Sequence, residues 1–140
     1  MESDEKPIST SAAPPPVGAY PHARRAGGLL FLSGLGPRDP AGSDIPGVRR
    51  DDEGRVVDYD IEAQCHAVFR NVRSVLEAAG CDWDRLVDVT VFLTDIERDF
   101  ETFNRIYRDY FPGEGPCRTT VEVNRLPTPI AIELKCIATL

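Results

Sequence analysis

Two charged residues interrupt segments whose alternating apolar and polar residues are typical of β-strands. Arg118 lies in the segment 117–123, and Glu133 lies in the segment 130–139. Charged side chains inside a sheet are rarely buried unless they are paired or have a function. Arginine binds a carboxylate through two parallel hydrogen bonds, and glutamate can transfer protons or activate water. The alternative is a structural pair, formed by Glu133 with Arg118 or with Lys135.

Three other residues could line a site, although each also has a plain structural interpretation. Asn104 interrupts the apolar stripe of a predicted helix, where it is alternatively a hydrogen-bonded core amide. Ser33 is alternatively a hydroxyl at the end of an apolar strand, and Tyr20 is alternatively a core residue. Strict alternation places Thr120 on the same face of its strand as Arg118. Spacing alone leads no further than an acidic α+β oligomer with an arginine and a glutamate in its sheet.

The composition excludes several classes of protein. A chain of 140 residues favours one domain, and a net charge of −7 is unlike the basic surface of a nucleic-acid-binding protein. Two lysines leave little basis for a lysine-bound pyridoxal cofactor, and two histidines with widely spaced cysteines make a zinc site improbable. No apolar run approaches the ~20 residues of a membrane helix, and the acidic N-terminus differs from a secretory signal. We therefore expect a cytoplasmic protein with reduced cysteines.

Hydrophobic periodicity predicts a single α+β domain over residues 17–140, preceded by a disordered or extended tail over residues 1–16. A first short strand falls within 19–25. The other predicted elements are a strand at 29–33, a helix from Asp60 to a stop at 78–80, a strand at 86–94, a helix at 96–111, and strands at 117–123 and 130–139. Residues 34–58 form a long loop with a hairpin arm around Val48 and Val56.

The two predicted helices can cover one face of the mixed sheet. The other face carries apolar side chains that nothing else in the chain can cover, and a patch of that size is usually buried by a partner. A closed symmetric homo-oligomer is the natural solution, and functional sites are then expected between its subunits.

Short motifs occur in a fixed order between residues 17 and 139. They are Gly18-Ala19-Tyr20, Phe31-Leu32-Ser33-Gly34, Asn71 with 75–80, 89–95, Phe103-Asn104, 116–123, Leu126-Pro127 and Ile132-Glu133. The most specific of them is the run Pro-Cys-Arg-Thr-Thr-Val-Glu-Val at 116–123. In type, order and spacing, these motifs resemble the reactive intermediate deaminase family, also called Rid or YjgF.

This resemblance implies a chorismate-mutase-like fold and a homotrimer with three clefts between its subunits. It also implies hydrolysis of enamines and imines to ketones and ammonia, without a cofactor or a metal. In the family, the arginine that matches Arg118 binds the substrate carboxylate, and the glutamate that matches Glu133 handles water and protons. A nearby Arg118 is expected to keep Glu133 ionised as a base.

The resemblance also implies a set of residues that line the cleft. They are Tyr20, Ser33, Gly34, Asn104 and Thr120. Because Thr120 stands where many family members have cysteine, no thiol chemistry is expected at that position.

The arm and its neighbours depart from the commonest family members. Residues 45–60 replace a short turn, and residues 20–22 and 128–131 also differ. These features resemble the 2-aminomuconate deaminase branch, which acts in the degradation of aromatic compounds. That branch implies conversion of 2-aminomuconate, an enamine dicarboxylate, to 2-oxo-3-hexenedioate (4-oxalocrotonate) and ammonia. The second carboxylate needs its own donor, for which the candidates are Arg38 first, then Arg25, His22 and Asn124.

Two other functions remain open. One is a deaminase of broad specificity for small 2-imino acids and enamines, and the other is a trimer that binds ligands without catalysis. Retention of Arg118 and Glu133 favours an enzyme over the second alternative, and the net negative charge disfavours nucleic acid as a partner.

Overall fold

The strands and helices expected from residue 29 onward are all present, with bounds that differ by no more than two residues. The structure is a computed structural model, and it describes residues 6–140. The elements are β1 (Ala23–Ala26), β2 (Leu29–Leu32), β3 (Val48–Arg50), β4 (Val56–Tyr59), α1 (Ile61–Ala78), β5 (Leu86–Leu93), α2 (Ile96–Tyr110), β6 (Cys117–Glu122) and β7 (Ile132–Thr139). A 3-10 helix at Trp83–Arg85 precedes β5.

Five strands form one sheet in the order β1-β2-β7-β5-β6. β5 and β6 run parallel, whereas the other neighbouring strands run antiparallel, so the sheet is mixed as expected. β3 and β4 form a separate hairpin, which is the expected arm. Both helices pack on one face of the five-stranded sheet, and the core lies between the helices and that face.

Helix α1 begins where the sequence provides a capping residue. The Asp60 carboxylate accepts hydrogen bonds from the backbone N–H groups of Glu62 and Ala63 at 3.0 and 3.4 Å. The helix ends before Gly80, whose φ of +69° is a conformation that favours glycine. The residues of the predicted apolar stripe are all buried, namely Ile61, Cys65, Val68, Phe69, Val72, Val75 and Leu76.

β5 departs from the strict alternation that its sequence predicts. Its pairing with β7 shifts between Leu86 and Asp88, and this β-bulge leaves Val87 40% exposed. Leu86 is buried in the core in place of Val87. From Val89 onward the expected alternation holds, so the rest of the strand has one buried face.

The sheet face opposite the helices is mixed rather than uniformly apolar. Phe31 and Val121 on this face are 37% and 38% exposed. Glu133 and Lys135 project from β7 on the same side. A second copy that covers this face must therefore accommodate charged groups as well as apolar ones.

The segment before β1 contributes to the domain. Ile8 pairs with Ala23 of β1 in an isolated bridge, and Ile8 and Ala13 are buried members of the hydrophobic core. Of the tail expected over residues 1–16, residues 1–5 lie outside the described residues.

The arm is held at its base by Arg98 of α2. Arg98 Nη2 donates to the carbonyl of Tyr59 at 2.6 Å and to Oδ1 of Asp58 at 3.2 Å, and its guanidinium carbon lies 4.0 Å from the centre of the Tyr59 ring. The Tyr59 hydroxyl donates to Oδ2 of the buried Asp99 at 2.5 Å. These contacts fix the β3–β4 hairpin against α2.

The four cysteines carry free thiols. Cys65, Cys81 and Cys136 are buried, whereas Cys117 is exposed at the start of β6. Within residues 6–140, none of the helices has the length and apolar character needed to cross a bilayer.

Candidate active site

The register of the sheet places Arg118 and Glu133 on opposite faces. Arg118 is aligned with Val89 of β5, and Glu133 is aligned with Phe92. Val89 and Phe92 are three residues apart on one strand, so their side chains, and those of their aligned partners, point to different sides. Val89 is buried under the helices, which puts Arg118 on the helix face and Glu133 on the open face.

Glu133 forms neither of the two ion pairs that the sequence suggested, with Arg118 or with Lys135. Over residues 6–140, Arg118 and Glu133 make no ion pair with each other or with another side chain. Lys135 Nζ instead donates a hydrogen bond to the carbonyl of Leu32. The expectation that a nearby Arg118 keeps Glu133 ionised does not hold within one chain, because the sheet separates the two residues and burial raises the pKa of Glu133.

Glu133 lies in a cavity of about 140 Å³, which we call the glutamate pocket. Three other predicted site residues, Tyr20, Gly34 and Arg38, share its walls. The remaining lining residues are Val17, Gly36, Pro127, Thr128 and Ile130. Ser33 lies in an adjoining cleft that also includes Tyr20, Gly34 and Arg38. The fold thus brings residues near the start of the chain beside a glutamate near its end.

The Glu133 carboxylate packs directly against the backbone of Gly34. A Cβ atom on residue 34 would lie 2.8 Å from Oε2 of Glu133, which is closer than van der Waals contact allows. The half-buried position raises the pKa of Glu133, because the ionised form loses hydration. A glutamate with a raised pKa returns a proton more readily than an ordinary glutamate does, because its protonated form is favoured.

Hydrogen bonds hold Tyr20 of the glutamate pocket and Ser33 of the adjoining cleft. Ser33 Oγ donates to the carbonyl of Pro21 at 2.7 Å. The Tyr20 hydroxyl accepts from the backbone N–H of Val17 at 3.2 Å. Both side chains are therefore held in place before any ligand arrives.

Asn71 of α1 fixes a wall of the glutamate pocket. Its buried Nδ2 donates to the carbonyls of Gly36 and Arg38 at 2.8 and 2.9 Å. Arg38 Nη2 in turn donates to the carbonyl of Pro15 at 2.7 Å. The Arg38 guanidinium therefore holds two loops together and keeps its positive charge at the pocket.

Arg118 lies against α2 in a group that we call the arginine cluster, formed by Arg118, Asn104, Tyr107 and Thr120. The guanidinium carbon of Arg118 is 4.7 Å from the centre of the Tyr107 ring and 5.4 Å from the centre of the Phe103 ring. Asn104 precedes Tyr107 by three residues and shares its helix face. Thr120 shares the strand face of Arg118, as the alternation predicts.

Two hydroxyls of the arginine cluster are buried without a hydrogen-bond partner in the part of the chain that the structure describes. They are Tyr107 OH and Thr120 Oγ1. An unsatisfied buried polar atom costs about 1–3 kcal/mol. Burial also raises the pKa of Tyr107 to about 12, so its hydroxyl stays protonated and can donate. An anion beside Arg118 would meet a positive charge and two donors.

Of the four candidates for a second carboxylate, the structure places only Arg38 in the glutamate pocket. The buried His22 accepts the backbone N–H of Thr10 at Nδ1, so Nε2 carries the proton and donates to the carbonyl of Pro14 at 2.8 Å. Both ring nitrogens of His22 are therefore hydrogen-bonded to the N-terminal segment, and neither is available to bind a carboxylate.

The other two candidates lie elsewhere in the molecule. Arg25 donates to the carbonyl of Ala79 at the end of α1, at 2.7 Å. Asn124 lines a separate groove beside the arm.

Tyr107 is the residue of this site that the sequence reasoning misses. Its place in the apolar stripe of α2 predicts a core residue, and its ring does pack against Phe69 and Phe103. Its spacing of three residues from Asn104 is the signal that could have identified it.

Comparison with known proteins gives a consistent assignment. Residues 10–140 match a protein family model described as Endoribonuclease L-PSP. The chain is 39% identical over 131 residues to a RutC family protein of Pyrococcus horikoshii, with 94% of each chain covered. It is 36% identical over 133 residues to a Rattus norvegicus protein named 2-iminobutanoate/2-iminopropanoate deaminase, which covers 95% of this chain and 88% of the relative.

A solved structure confirms the expected fold. The crystal structure of E. coli TdcF with bound serine has a TM-score of 0.83 and 31% sequence identity. The match covers 97% of this chain and 99% of that chain. The mixed sheet with two helices on one face is therefore the chorismate-mutase-like architecture that the motifs imply.

Proposed function

The chain belongs to the Rid/YjgF family, and on that premise we propose that it is a hydrolytic deaminase that converts 2-aminomuconate to 2-oxo-3-hexenedioate and ammonia. It acts in the degradation of aromatic compounds, in the cytoplasm, where its four free thiols stay reduced. Neither a cofactor nor a metal takes part. The catalytic residues are Glu133 and Arg118, and the substrate-binding residues include Tyr20, Ser33, Gly34, Asn104, Thr120 and Arg38.

The observation that carries this proposal is the placement of Arg118 and Glu133 on opposite faces of one sheet. Glu133 lies in the glutamate pocket, which lacks Arg118, and Arg118 lies in the arginine cluster, which lacks Glu133. One chain therefore contains two separate parts of a site. A closed homotrimer joins them, because the glutamate pocket of one copy then faces the arginine cluster of the next. Each of the three clefts contains one copy of each half.

The arginine cluster binds the carboxylate next to the reacting carbon. Arg118 of one copy donates two parallel hydrogen bonds to it, and the unpartnered hydroxyls of Tyr107 and Thr120 are available as further donors. Asn104 lies on the same helix face and borders the bound acid. Binding at this position orients the nitrogen-bearing carbon towards Glu133 of the neighbouring copy.

Glu133 carries the proton transfers. The enamine first becomes an imine by tautomerisation. Water then adds to the nitrogen-bearing carbon while Glu133 accepts a proton from that water. Glu133 returns that proton to the nitrogen, which gives the neutral carbinolamine. Glu133 then accepts the proton of the carbinolamine hydroxyl and delivers it to the amino group, so that the C=O bond forms as the C–N bond breaks and ammonia leaves. Within one chain burial raises the pKa of Glu133, and Arg118 of the neighbouring copy favours the ionised form that accepts the proton of water.

The glutamate pocket contains a cation, Arg38, beside the carboxylate of Glu133. Although the chain has a net charge of −7, Arg38 lines the pocket. A cation focused in a cleft raises the local concentration of an anionic substrate. Arg38 therefore contributes to the binding of every carboxylate substrate, irrespective of its length.

Replacing Gly34 with alanine is expected to lower turnover without unfolding the protein. The added methyl group has no room beside Oε2 of Glu133, so the carboxylate must move, and a displacement near 1 Å can cost about 100-fold in rate. Steady-state kinetics of ammonia release measures the effect. Gly42→Ala is the matched control, because a Cβ there meets nothing closer than Asp44 Oδ2 at 3.8 Å. Parental turnover in Gly34→Ala would contradict the assigned position of Glu133.

The second candidate function is a deaminase of broad specificity for small 2-imino acids. It is favoured by the rat relative, whose name refers to 2-iminobutanoate and 2-iminopropanoate. Such substrates carry one carboxylate, which the arginine cluster alone can bind. The two functions therefore differ in whether a second carboxylate contributes to binding.

The test compares ammonia release from 2-aminomuconate and from 2-iminopropanoate under the same conditions. We expect kcat/KM to be higher for 2-aminomuconate by about 10- to 100-fold, the value of one further charge-assisted hydrogen bond. Equal or higher kcat/KM for 2-iminopropanoate would favour the second candidate. Absence of ammonia from both substrates would point to a trimer that binds ligands without catalysis.

A further inference from the structure

A second, larger cavity adjoins the glutamate pocket. This groove has a volume of about 580 Å³ and lies between β4 of the arm and the segment 124–131. It shares Pro127, Thr128 and Ile130 with the glutamate pocket, so the two cavities meet at a common wall. The catalytic proposal assigns no role to this groove.

Two arginines line the groove, and only one of them, Arg98, is hydrogen-bonded and ion-paired within the chain. Arg98 is bonded to Asp58 and to the carbonyl of Tyr59, and its guanidinium stacks on the Tyr59 ring. Arg125 is exposed and forms neither an ion pair nor a hydrogen bond with any side chain between residues 6 and 140. Asn124 adds an exposed amide beside it.

The charge of the groove favours an anion. Its ionisable lining residues are Arg98, Arg125, Asp58 and Tyr59. Asp58 is neutralised by Arg98 at 3.2 Å, and burial with the hydrogen bond to Asp99 keeps Tyr59 protonated by raising its pKa. Arg98 also pairs with the buried Asp99 at 3.5 Å, so Arg125 is the lining arginine that has no acidic partner among residues 6–140.

We propose that this groove is the subsite for the second carboxylate of a dicarboxylic substrate, and that Arg125 binds it. The inference rests on the proposed function and extends it. The reacting end of the substrate lies at Glu133, and its chain passes the shared wall at Pro127 and Thr128. The far carboxylate reaches the Arg125 guanidinium, which can bind it through two parallel hydrogen bonds.

The arm gives this groove its outer wall. Val56, Val57 and Tyr59 belong to β4, and Arg98 fixes that strand to α2. An acid with a single carboxylate does not extend into the groove. The arm, which distinguishes this chain from the commonest family members, therefore selects substrates that carry a second carboxylate.

The test measures binding rather than turnover and uses two unreactive ligands. Muconate and sorbate have the same six-carbon diene chain, but muconate carries two carboxylates and sorbate carries one. Calorimetric titration of the parent protein is expected to show tighter binding of muconate. Arg125→Gln is expected to weaken muconate about tenfold or more and to leave sorbate unchanged, because one charge-assisted contact is lost.

Two further variants show whether Arg125 or another arginine binds the second carboxylate. Arg108→Gln is the matched control, since it removes an exposed arginine that does not line the groove and should leave both affinities at the parental value. Arg38→Gln should weaken muconate and sorbate to a similar extent. A loss confined to muconate in Arg38→Gln, or parental affinity for muconate in Arg125→Gln, would overturn the assignment to Arg125.

The outcome is separable from that of the proposed function. Selective loss of muconate binding in Arg125→Gln, together with no ammonia from 2-aminomuconate in the parent, would support the subsite and reject the reaction. Turnover of 2-aminomuconate at the parental rate by Arg125→Gln, with unchanged muconate affinity, would support the reaction and reject the subsite.

Discussion

Arg118→Ala is expected to lower kcat/KM for an imino or enamine carboxylate by about 10²- to 10⁴-fold, which brings ammonia release close to background. The side chain offers two charge-assisted hydrogen bonds to the substrate carboxylate, each with a value of about 1.5–3 kcal/mol. No other arginine lies in the arginine cluster to replace it, as far as residues 6–140 are concerned. Initial rates of ammonia release measure the loss.

The fold should survive this substitution. Arg118 contacts the rings of Tyr107 and Phe103, and loss of such contacts costs about 0.5–2 kcal/mol. We therefore expect a modest fall in Tm and an unchanged oligomer in sedimentation analysis. Arg118→Lys keeps the charge but lacks the planar fork, so it should recover only part of kcat/KM. Near-parental turnover in Arg118→Ala would reject its role as the carboxylate-binding residue.

Glu133→Gln is expected to lower kcat by about 10²- to 10⁴-fold, the usual contribution of a positioned acid–base group. Glutamine has nearly the same shape, so it fits beside Gly34 and should leave substrate binding intact. Single-turnover kinetics, with substrate affinity measured in parallel, separate the two effects. Glu101→Gln on the exposed side of α2 is the matched control and should behave like the parent.

The pH profile provides a second readout for Glu133. Burial raises its pKa above the ordinary value for glutamate. Only the ionised carboxylate can accept the proton of water, so kcat falls as the pH drops through the pKa of Glu133 in the assembled site, where burial raises that pKa and Arg118 of the neighbouring copy lowers it. Glu133→Gln should lose this acid limb. An acid limb that persists unchanged in Glu133→Gln would assign the base to another group.

Local structure could be predicted from the sequence because local signals agree with one another. The Asp60 cap, the apolar stripe of α1 and the glycine at its end all indicate the same helix, and the structure has it at Ile61–Ala78. The alternation of β6 and β7 was equally clear, and it correctly placed Arg118 with Thr120 and Glu133 with Lys135.

The relation between Arg118 and Glu133 could not be predicted, because it depends on strand register. A shift of one residue in the pairing of β5 with β6 or β7 would exchange the faces of every side chain. The bulge after Leu86 shows that such shifts occur in this sheet. Only the observed register shows that the two residues are separated by the sheet.

Hydrogen bonds between residues far apart in the sequence also could not be predicted from the sequence. His22 is a candidate donor for a carboxylate from its sequence position, but Thr10 and Pro14 satisfy both of its ring nitrogens, which allows it to be buried. The arm was predicted as a hairpin, yet its attachment through Arg98 to Tyr59 joins segments 39 residues apart. Such contacts determine which loops border the glutamate pocket.

The central claim, that each site combines Arg118 of one copy with Glu133 of another, is tested most directly by mixing the two inactive variants. Arg118→Ala and Glu133→Gln chains are co-expressed with different affinity tags, and the mixed oligomer is isolated through both tags. Around a closed trimer that contains both variants, one of the three sites takes Arg118 and Glu133 from chains that retain them, so about one third of the sites are intact. We predict ammonia release at about that fraction of the parental rate. Mixed oligomers that are no more active than the two variants alone would contradict the account.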